Sequence, residues 1–181
     1  MSTKSQSTTA CDKAKEQALC ETKAWLLNFV IGHNLCPFAR KPFESDQIRF
    51  VCTDAQEDDA LLKALAQELE LLLTDSSIET TLLIVPNALE SFTVYWDFIA
   101  LAEALIESLG LEGVFQIATF HPQYQFDGAE PDAPENRTNR SPYPLLHILR
   151  EESLSKAIES HPDVAQIPER NIALMRTLMD K

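Results

Sequence analysis

The residues of this 181-residue chain that could do chemistry are concentrated around one histidine and the segment that follows it. His121 ends an apolar run and is followed by Pro122, after which regular patterning stops for about twenty residues. The reference pKa of histidine is roughly 6.5, so His121 could act as a general acid or base. Tyr124 and Tyr143 are close in sequence and could orient a substrate. Alternatively, His121 is a buried histidine with satisfied ring nitrogens at a strand end.

A cluster of hydrogen-bond donors occurs in segment 136–141 of an otherwise acidic protein. The candidate anion-binding residues are Arg137, Asn139, Arg140 and Ser141. Guanidinium groups match the oxygens of carboxylates and phosphates, and a helix starting at Ser141 would offer free N–H groups to the same anion. The cluster therefore predicts a small anionic ligand. In the alternative interpretation, both arginines pair with nearby acidic residues and hold the loop closed. Those acidic residues are Asp127, Asp132 and Glu135.

Cys36 is a candidate nucleophile or soft metal ligand, with His33 three residues before it. The Cys36-Pro37 pair also occurs in some haem-responsive proteins. A metal site would require several residues to converge. They are His33, Cys36, His121 and His147. Otherwise Cys36 is a small buried hydrophobic residue, and the sequence identifies no cofactor.

The charge balance excludes several classes of partner. Lys and Arg total 15 against 28 Asp and Glu, and the formal net charge is -13. The chain contains no run of basic residues longer than two, whereas nucleic-acid binders carry a basic stripe. Nucleic acids and anionic membranes are therefore not expected partners. Gly-rich phosphate loops, G-x-S-x-G and H-E-x-x-H are also missing, which argues against a nucleotide cofactor site and a serine hydrolase.

The cysteines and the N-terminus predict a cytoplasmic protein. The four cysteines lie in the first third of the chain, without C-x-x-C spacing, and do not indicate a disulfide scaffold. Residues 1–9 are rich in Ser and Thr and lack the apolar segment of a signal peptide. No apolar run approaches the roughly 18 residues that a membrane span needs. We expect a disordered tail over residues 1–11 and a single domain over residues 12–181.

The hydrophobic periodicity alternates between helices and strands. Helical spacing is found over 12–31, 61–73, 98–109, 153–160 and 168–179, and strand patterns over 47–52, 80–85 and 114–120. Gly32 and Gly110 are predicted as left-handed caps. Thr53 to Gln56 is predicted as a capping box, and Ser141-Pro142 as the start of a helix carrying Leu145, Leu146 and Leu149.

Strands that alternate with helices predict an α/β fold with right-handed crossovers. We expect a single domain with a small, mostly parallel sheet of about three strands (βαβαβ), flanked by helices. An N-terminal helix, a long loop after the third strand and a helical C-terminus complete it. In such a sheet ligands bind beyond the carboxyl ends of the strands, where His121 is placed.

Three longer motifs resemble the domain-of-unknown-function 1415 family of bacterial proteins. They are 34–39 (NLCPFA), 119–126 (TFHPQYQF) and 138–144 (TNRSPYP). The resemblance covers nearly the whole chain from about residue 20. It implies that the three motifs form one site, and it assigns no role to any residue.

The leading functional hypothesis is an enzyme that acts on a small anionic metabolite by proton transfer. Arg137 and Arg140 would hold the anion, His121 would exchange the proton, and Tyr124 or Tyr143 would orient the substrate. One alternative is a metal- or haem-binding protein that uses Cys36, His33 and His121. Another is a non-catalytic partner-binding domain. The oligomeric state is not predicted.

Overall fold

The structure, a computed structural model, describes residues 10–161 and 163–179. Of the predicted tail, residues 1–9 lie outside the described residues, and Ala10 and Cys11 belong to the first helix. The helices are α1 (Ala10–Trp25), α2 (Arg40–Glu44), α3 (Asp58–Thr74), α4 (Phe92–Ser108), α5 (Glu151–Ser160) and α6 (Ile167–Met179), with a π-helical segment at Leu26–Ile31 and 3-10 turns at Pro134–Asn139 and Val164–Gln166. The strands are β1 (Ile48–Cys52), β2 (Thr80–Ile84), β3 (Phe115–Phe120) and β4 (Leu145–Arg150).

The sheet has four strands in the order β1-β2-β4-β3. β1 pairs with β2 in parallel, whereas β4 is antiparallel to both β2 and β3. The α/β class and the three predicted strands are confirmed, and those strands all run in one direction. The expected mostly parallel sheet is wrong, because β4 lies between β2 and β3 and makes the sheet mixed.

The segment predicted as a helix opening at Ser141 is the strand β4. Its apolar residues are nearly continuous because a central strand buries both faces. Leu145 and His147 point to one face of the sheet, while Leu146 and Ile148 point to the other. A continuous apolar run of this length fits a buried helix and a buried strand equally well.

One face of the sheet is covered by α3 and α4, which form the main hydrophobic core. Its fully buried members include Leu65, Leu69, Tyr95, Phe98 and Ile148. α4 starts at an N-cap, where the Ser91 hydroxyl accepts from the Val94 N–H at 3.3 Å. The helical spacing over 98–109 is carried by Phe98, Leu101, Leu105 and Leu109, and the face it predicts is partly wrong. Leu101 and Leu109 are exposed, whereas Tyr95, Ile99 and Ala102 are buried.

The start of α3 also differs from the prediction. Its N-cap is Glu57, and no side chain caps it. The Thr53 hydroxyl accepts from the Ala55 N–H at 3.1 Å and makes a local turn before the helix, so the predicted capping box is not formed.

The other face of the sheet is covered by α1, the π-helical segment and α6. Leu26, Val30 and Met175 are buried together there, and Ala18 packs on Leu82 and Leu145. None of the helices within the described ranges combines the length and hydropathy required to cross a bilayer.

The end of the first helical region is wound as a π-helix rather than capped. Gly32 has φ -60° and ψ -38°, so the left-handed cap predicted there is wrong. The left-handed residue is Asn34, with φ 53°, whereas Gly110 has the predicted positive φ of 68°. A Cβ at position 32 would lie 2.2 Å from the Asn28 carbonyl oxygen, which is why glycine is required in this turn.

Candidate functional site

His121 follows β3 at the edge of the sheet where β1, β2 and β3 all end. Its side chain is fully buried. Nδ1 accepts from the Gln123 N–H at 3.0 Å, and Nε2 lies 2.9 Å from the Leu89 carbonyl oxygen. This arrangement requires the neutral tautomer with the proton on Nε2, because Nδ1 must accept and Nε2 must donate.

The surroundings of His121 favour its neutral form. The ring packs on Phe92 and Tyr95, with centroid distances of 5.5 and 5.0 Å. Burial lowers the pKa of His121, and the hydrogen bond to Leu89 offsets this only in part. The imidazole thus ties the turn after β2 to the end of β3, and no hydrogen bond joins it to an arginine within the described residues.

The two candidate tyrosines also have engaged hydroxyl groups. The hydroxyl of buried Tyr124 lies 3.2 Å from the Thr119 hydroxyl. Tyr143 donates to the Glu21 carboxylate at 2.6 Å. This hydrogen bond raises the pKa of Tyr143 to about 12 and lowers that of Glu21. Neither phenol hydroxyl is hydrogen-bonded to the His121 imidazole, whose two nitrogens have backbone partners.

Asn136 organises the long loop. It belongs to the donor cluster 136–141 but was not among the candidate anion-binding residues. It is fully buried in the 3-10 turn. Its side-chain oxygen accepts from the Phe126 N–H at 3.0 Å, and its amide group donates to the carbonyls of Glu130 and Pro131 at 2.7 and 3.2 Å. All of the side chain's hydrogen-bonding groups serve the loop, as expected for a buried amide.

Three of the four predicted anion-binding residues also hold backbone. Arg140 donates from Nε to the Tyr124 carbonyl at 3.2 Å and from Nη2 to the Pro131 carbonyl at 2.7 Å. The Asn139 amide donates to the Thr119 carbonyl, and the Ser141 hydroxyl donates to the Tyr143 carbonyl. The predicted ion pairs of the arginines with loop carboxylates are not among the salt bridges of the described residues.

Arg137 differs from the other three. Its side chain is exposed, and within the part of the chain that the structure describes its guanidinium forms no hydrogen bond or salt bridge. It lies on a cavity of about 460 Å³, which we call the arginine cleft. The cleft is lined by Trp25, Phe29, Asp132, Arg137, Arg140 and Met179.

The walls of the arginine cleft come from three distant parts of the chain. Trp25 and Phe29 lie at the junction of α1 and the π-helical segment, and Met179 is the last residue of α6. The Trp25 Nε1–H is buried and has no partner in the described structure. π-helical turns are rare and occur frequently at functional sites. The sequence reasoning missed these apolar walls, for which the four-residue spacing of the two aromatic rings was the available signal.

Cys36 lies on two further cavities. The first, the Cys36 cleft, has a volume of about 520 Å³ and is also lined by Glu135, Thr138 and Asn139. Burial raises the pKa of the Cys36 thiol, so it is held protonated rather than activated as a nucleophile. The Asn171 amide of α6 donates to the Leu35 carbonyl at 2.8 Å and fixes the backbone before the cysteine.

The four possible metal ligands lie in different surroundings. Over the described ranges, no group of three or more His, Cys, Asp or Glu side chains is placed to hold a metal ion. His33 is exposed and packs edge-on against Phe29 at 5.6 Å. His147 lies in the middle of β4, and His121 is enclosed after the end of β3.

The loop thus brings the second and third sequence motifs together, since the His121 N–H donates to the Asn139 carbonyl at 3.1 Å. The first motif reaches the third across the Cys36 cleft. No curated protein and no solved structure matches this chain. A family model, described as a protein of unknown function (DUF1415), matches residues 17–181. Because this match covers nearly the whole chain, the protein belongs to the DUF1415 family.

Proposed function

We propose that this protein binds a small carboxylate or phosphate ligand with an apolar body in the arginine cleft. The observation that carries the proposal is the unpaired Arg137 guanidinium on that cleft. Five of the seven arginines donate through their guanidinium groups to a carboxylate or a backbone carbonyl. Arg137 instead keeps all its donors available for a ligand.

The rest of the cleft supports a ligand that is not a bare inorganic anion. Trp25, Phe29 and Met179 provide apolar and aromatic surface. A volume of about 460 Å³ is within the range of sites for small organic molecules. The unpartnered Trp25 N–H is a further donor at the same wall. Arg140 also lines the cleft, but its guanidinium donates to backbone carbonyls of the loop. It therefore offers a ligand its positive charge rather than free hydrogen-bond donors.

The proposal also changes the role expected for His121. A catalytic proton transfer requires a group within hydrogen-bond reach of the substrate, and both nitrogens of His121 are occupied by backbone partners. We therefore propose ligand binding at the arginine cleft without a proton-transfer step through His121. Asp132 is the titratable group that shares the cleft with Arg137.

Tryptophan fluorescence tests the proposal directly. The chain has two tryptophans, and Trp96 is exposed on α4, on the opposite face of the sheet. A Trp96→Phe background therefore isolates the signal of Trp25. We expect phenyl phosphate or benzoate to change this emission, and inorganic phosphate to compete weakly. Arg137→Gln should weaken the binding at least tenfold, or about 1.4 kcal/mol.

Lys63→Gln on α3 is the matched control, because it removes the same charge from an exposed site on the opposite face. It should leave the affinity within about twofold of the parent, since exposed charges at this distance are screened. Equal affinities of Arg137→Gln and Lys63→Gln, or no response of Trp25 to either aromatic anion, contradict the proposal.

A further inference from the structure

A third cavity lies on the α1 face of the sheet, away from the arginine cleft. It has a volume of about 490 Å³ and is bounded by the floor of the sheet, by segment 36–42 and by α5. We call it the His147 cavity. It shares no lining residue with the arginine cleft, so a ligand in this cavity is independent of the proposed function.

His147 forms part of the floor of this cavity. It lies on the central strand β4, opposite Leu82 on one side and Ala118 on the other. Its Nε2 is shielded from solvent and has no hydrogen-bond partner in the described structure. Nearly all buried polar atoms in folded proteins are hydrogen-bonded, so the unpartnered nitrogen of a histidine that lines a cavity is a candidate for a ligand partner.

The walls of the His147 cavity are mainly apolar. They include Leu26, Phe38, Ile48, Leu149 and Leu154. Burial also holds His147 neutral by lowering its pKa. A neutral imidazole has one donor and one acceptor nitrogen, and a half-turn of the ring exchanges the positions of nitrogen and carbon without changing its volume. A ligand in the cavity can therefore engage a ring nitrogen as either donor or acceptor.

A fully ionised group at the floor is disfavoured, because an apolar wall does not replace the water lost by a charge. Charged side chains lie among the lining residues, where Lys41, Glu79, Arg150 and Lys156 are found. The Arg150 guanidinium already donates to the backbone carbonyls of Leu72 and Ile78. Lys156 is already paired with Glu152 at 2.5 Å. The lining thus fits a molecule that is apolar along its body and has a neutral hydrogen-bonding group at the end against His147.

We propose that the His147 cavity is a binding site for a small, largely apolar molecule with one neutral hydroxyl or carbonyl group, which hydrogen-bonds to His147. The apolar walls bind the body of the ligand, and the imidazole selects for the polar group. A volume of about 490 Å³ accommodates an aromatic ligand of two fused rings with room to spare.

The test compares 2-naphthol with naphthalene, which differ only by the hydroxyl group. Binding to the full chain is followed by ligand-observed NMR, and the ring nitrogens of His147 by ¹⁵N chemical shift. We expect 2-naphthol to bind and to shift the His147 resonances. His147→Phe keeps an aromatic ring of similar shape but removes both nitrogens. It should weaken 2-naphthol binding at least about tenfold, and leave naphthalene binding unchanged or tighter.

His33→Phe, at an exposed histidine outside the cavity, is the matched control and should bind both compounds as the wild type does. The proposal is overturned if 2-naphthol does not bind the wild type, or if His147→Phe loses affinity for both compounds equally. If His147→Phe does not fold, the wild-type protein alone provides the test. The proposal is then overturned if the ¹⁵N shifts of His147 stay constant during titration with 2-naphthol.

Discussion

At the scale of single residues, His121 shows how a residue type suited to catalysis can serve the fold. Leu89, whose carbonyl faces Nε2 of His121, has a positive φ of 60°, an uncommon conformation for a leucine. The hydrogen bond to His121 holds this strained turn between β2 and α4. Both ring nitrogens are thereby used within the protein, which was the alternative interpretation of His121 from the sequence.

His147 gives the pH dependence of stability a defined sign. Burial lowers its pKa from 6.5 to about 4, so the folded state binds fewer protons than the unfolded state between these pH values. The stabilisation is present above pH 6.5 and is lost as the pH falls through this window. Relative to His147→Phe, the wild type should lose roughly 2–3 kcal/mol of unfolding free energy between pH 7 and 4.

Urea denaturation of the wild type and of His147→Phe across this pH range measures the difference in their unfolding free energies. The many carboxylates contribute equally to both proteins, so their contribution cancels. Below about pH 4 the difference should level off, because His147 is then protonated in both states. A difference that stays constant from pH 7 to 4 would show that the folded and unfolded pKa values are equal.

The residues of the candidate site were partly predictable from sequence. Arg137 was identified because guanidinium groups are chemically distinctive in an acidic chain, and it lies on a cleft as expected of an anion-binding residue. Trp25, Phe29 and Met179 were not identified. By sequence alone, an apolar residue that lines a cavity cannot be distinguished from one that is buried in the core. Polar candidates such as Asn139 and Arg140 could not be distinguished from loop-stabilising residues, since the hydrogen bonds to backbone carbonyls depend on the folded loop.

At the scale of elements, the π-helical segment sets the geometry of the face that contains the three cavities. It supplies Leu26 to the His147 cavity, Phe29 to the arginine cleft and Val30 to the Cys36 cleft. A π-helical turn widens the helix and changes which side chains share a face. The direction of these three side chains therefore depends on the irregular winding of Leu26–Ile31.

Gly32→Ala tests this dependence through the sign of its effect. At helical angles of -60° and -38°, alanine normally stabilises a helix by about 1 kcal/mol relative to glycine. Here the new Cβ would lie 2.2 Å from the Asn28 carbonyl oxygen, so the π turn must shift. We expect a destabilisation of about 1–3 kcal/mol, measured by thermal or urea unfolding. A stabilised variant would show that the turn relaxes to an α-helix without cost.

The sequence patterns located α3 and three of the four strands well. α3 and the strands β1, β2 and β3 lie within a few residues of their predicted ranges. β4 was mistaken for a helix, because it is rich in leucine and follows Ser141-Pro142, which is typical of a helix start. β2 is also buried throughout, but its β-branched residues and the proline after it indicate a strand. The position of β4 between β2 and β3 follows from long-range pairing across segment 121–144, for which local patterns carry no signal.

At the scale of the whole molecule, four basic side chains of the described residues form ion pairs. Lys15 pairs with Asp54, and Arg40 and Lys156 each pair with a glutamate on their own helix. Arg49 makes a two-pronged contact with the buried carboxylate of Glu68, at 2.6 and 3.1 Å. Among the arginines of the described residues, Arg137 and Arg176 are the two whose guanidinium groups make no hydrogen bond or ion pair, and Arg137 lines the arginine cleft.

The order of the strands also predicts how local stability is distributed. β2 is buried at every position and, with β4, forms the centre of the sheet, whereas β1 is half-buried at every position and lies at an edge. α5 buries none of its residues fully. Amides with few buried contacts around them open with lower free energy than those of the central core.

We expect hydrogen exchange to be slowest in β2 and β4, faster in β1 and fastest in α5, as read by mass spectrometry of peptides covering each element. The opposite ranking of α5 and β2 would mean that the α5 wall of the His147 cavity, and not the centre of the sheet, is the most stable part of the fold.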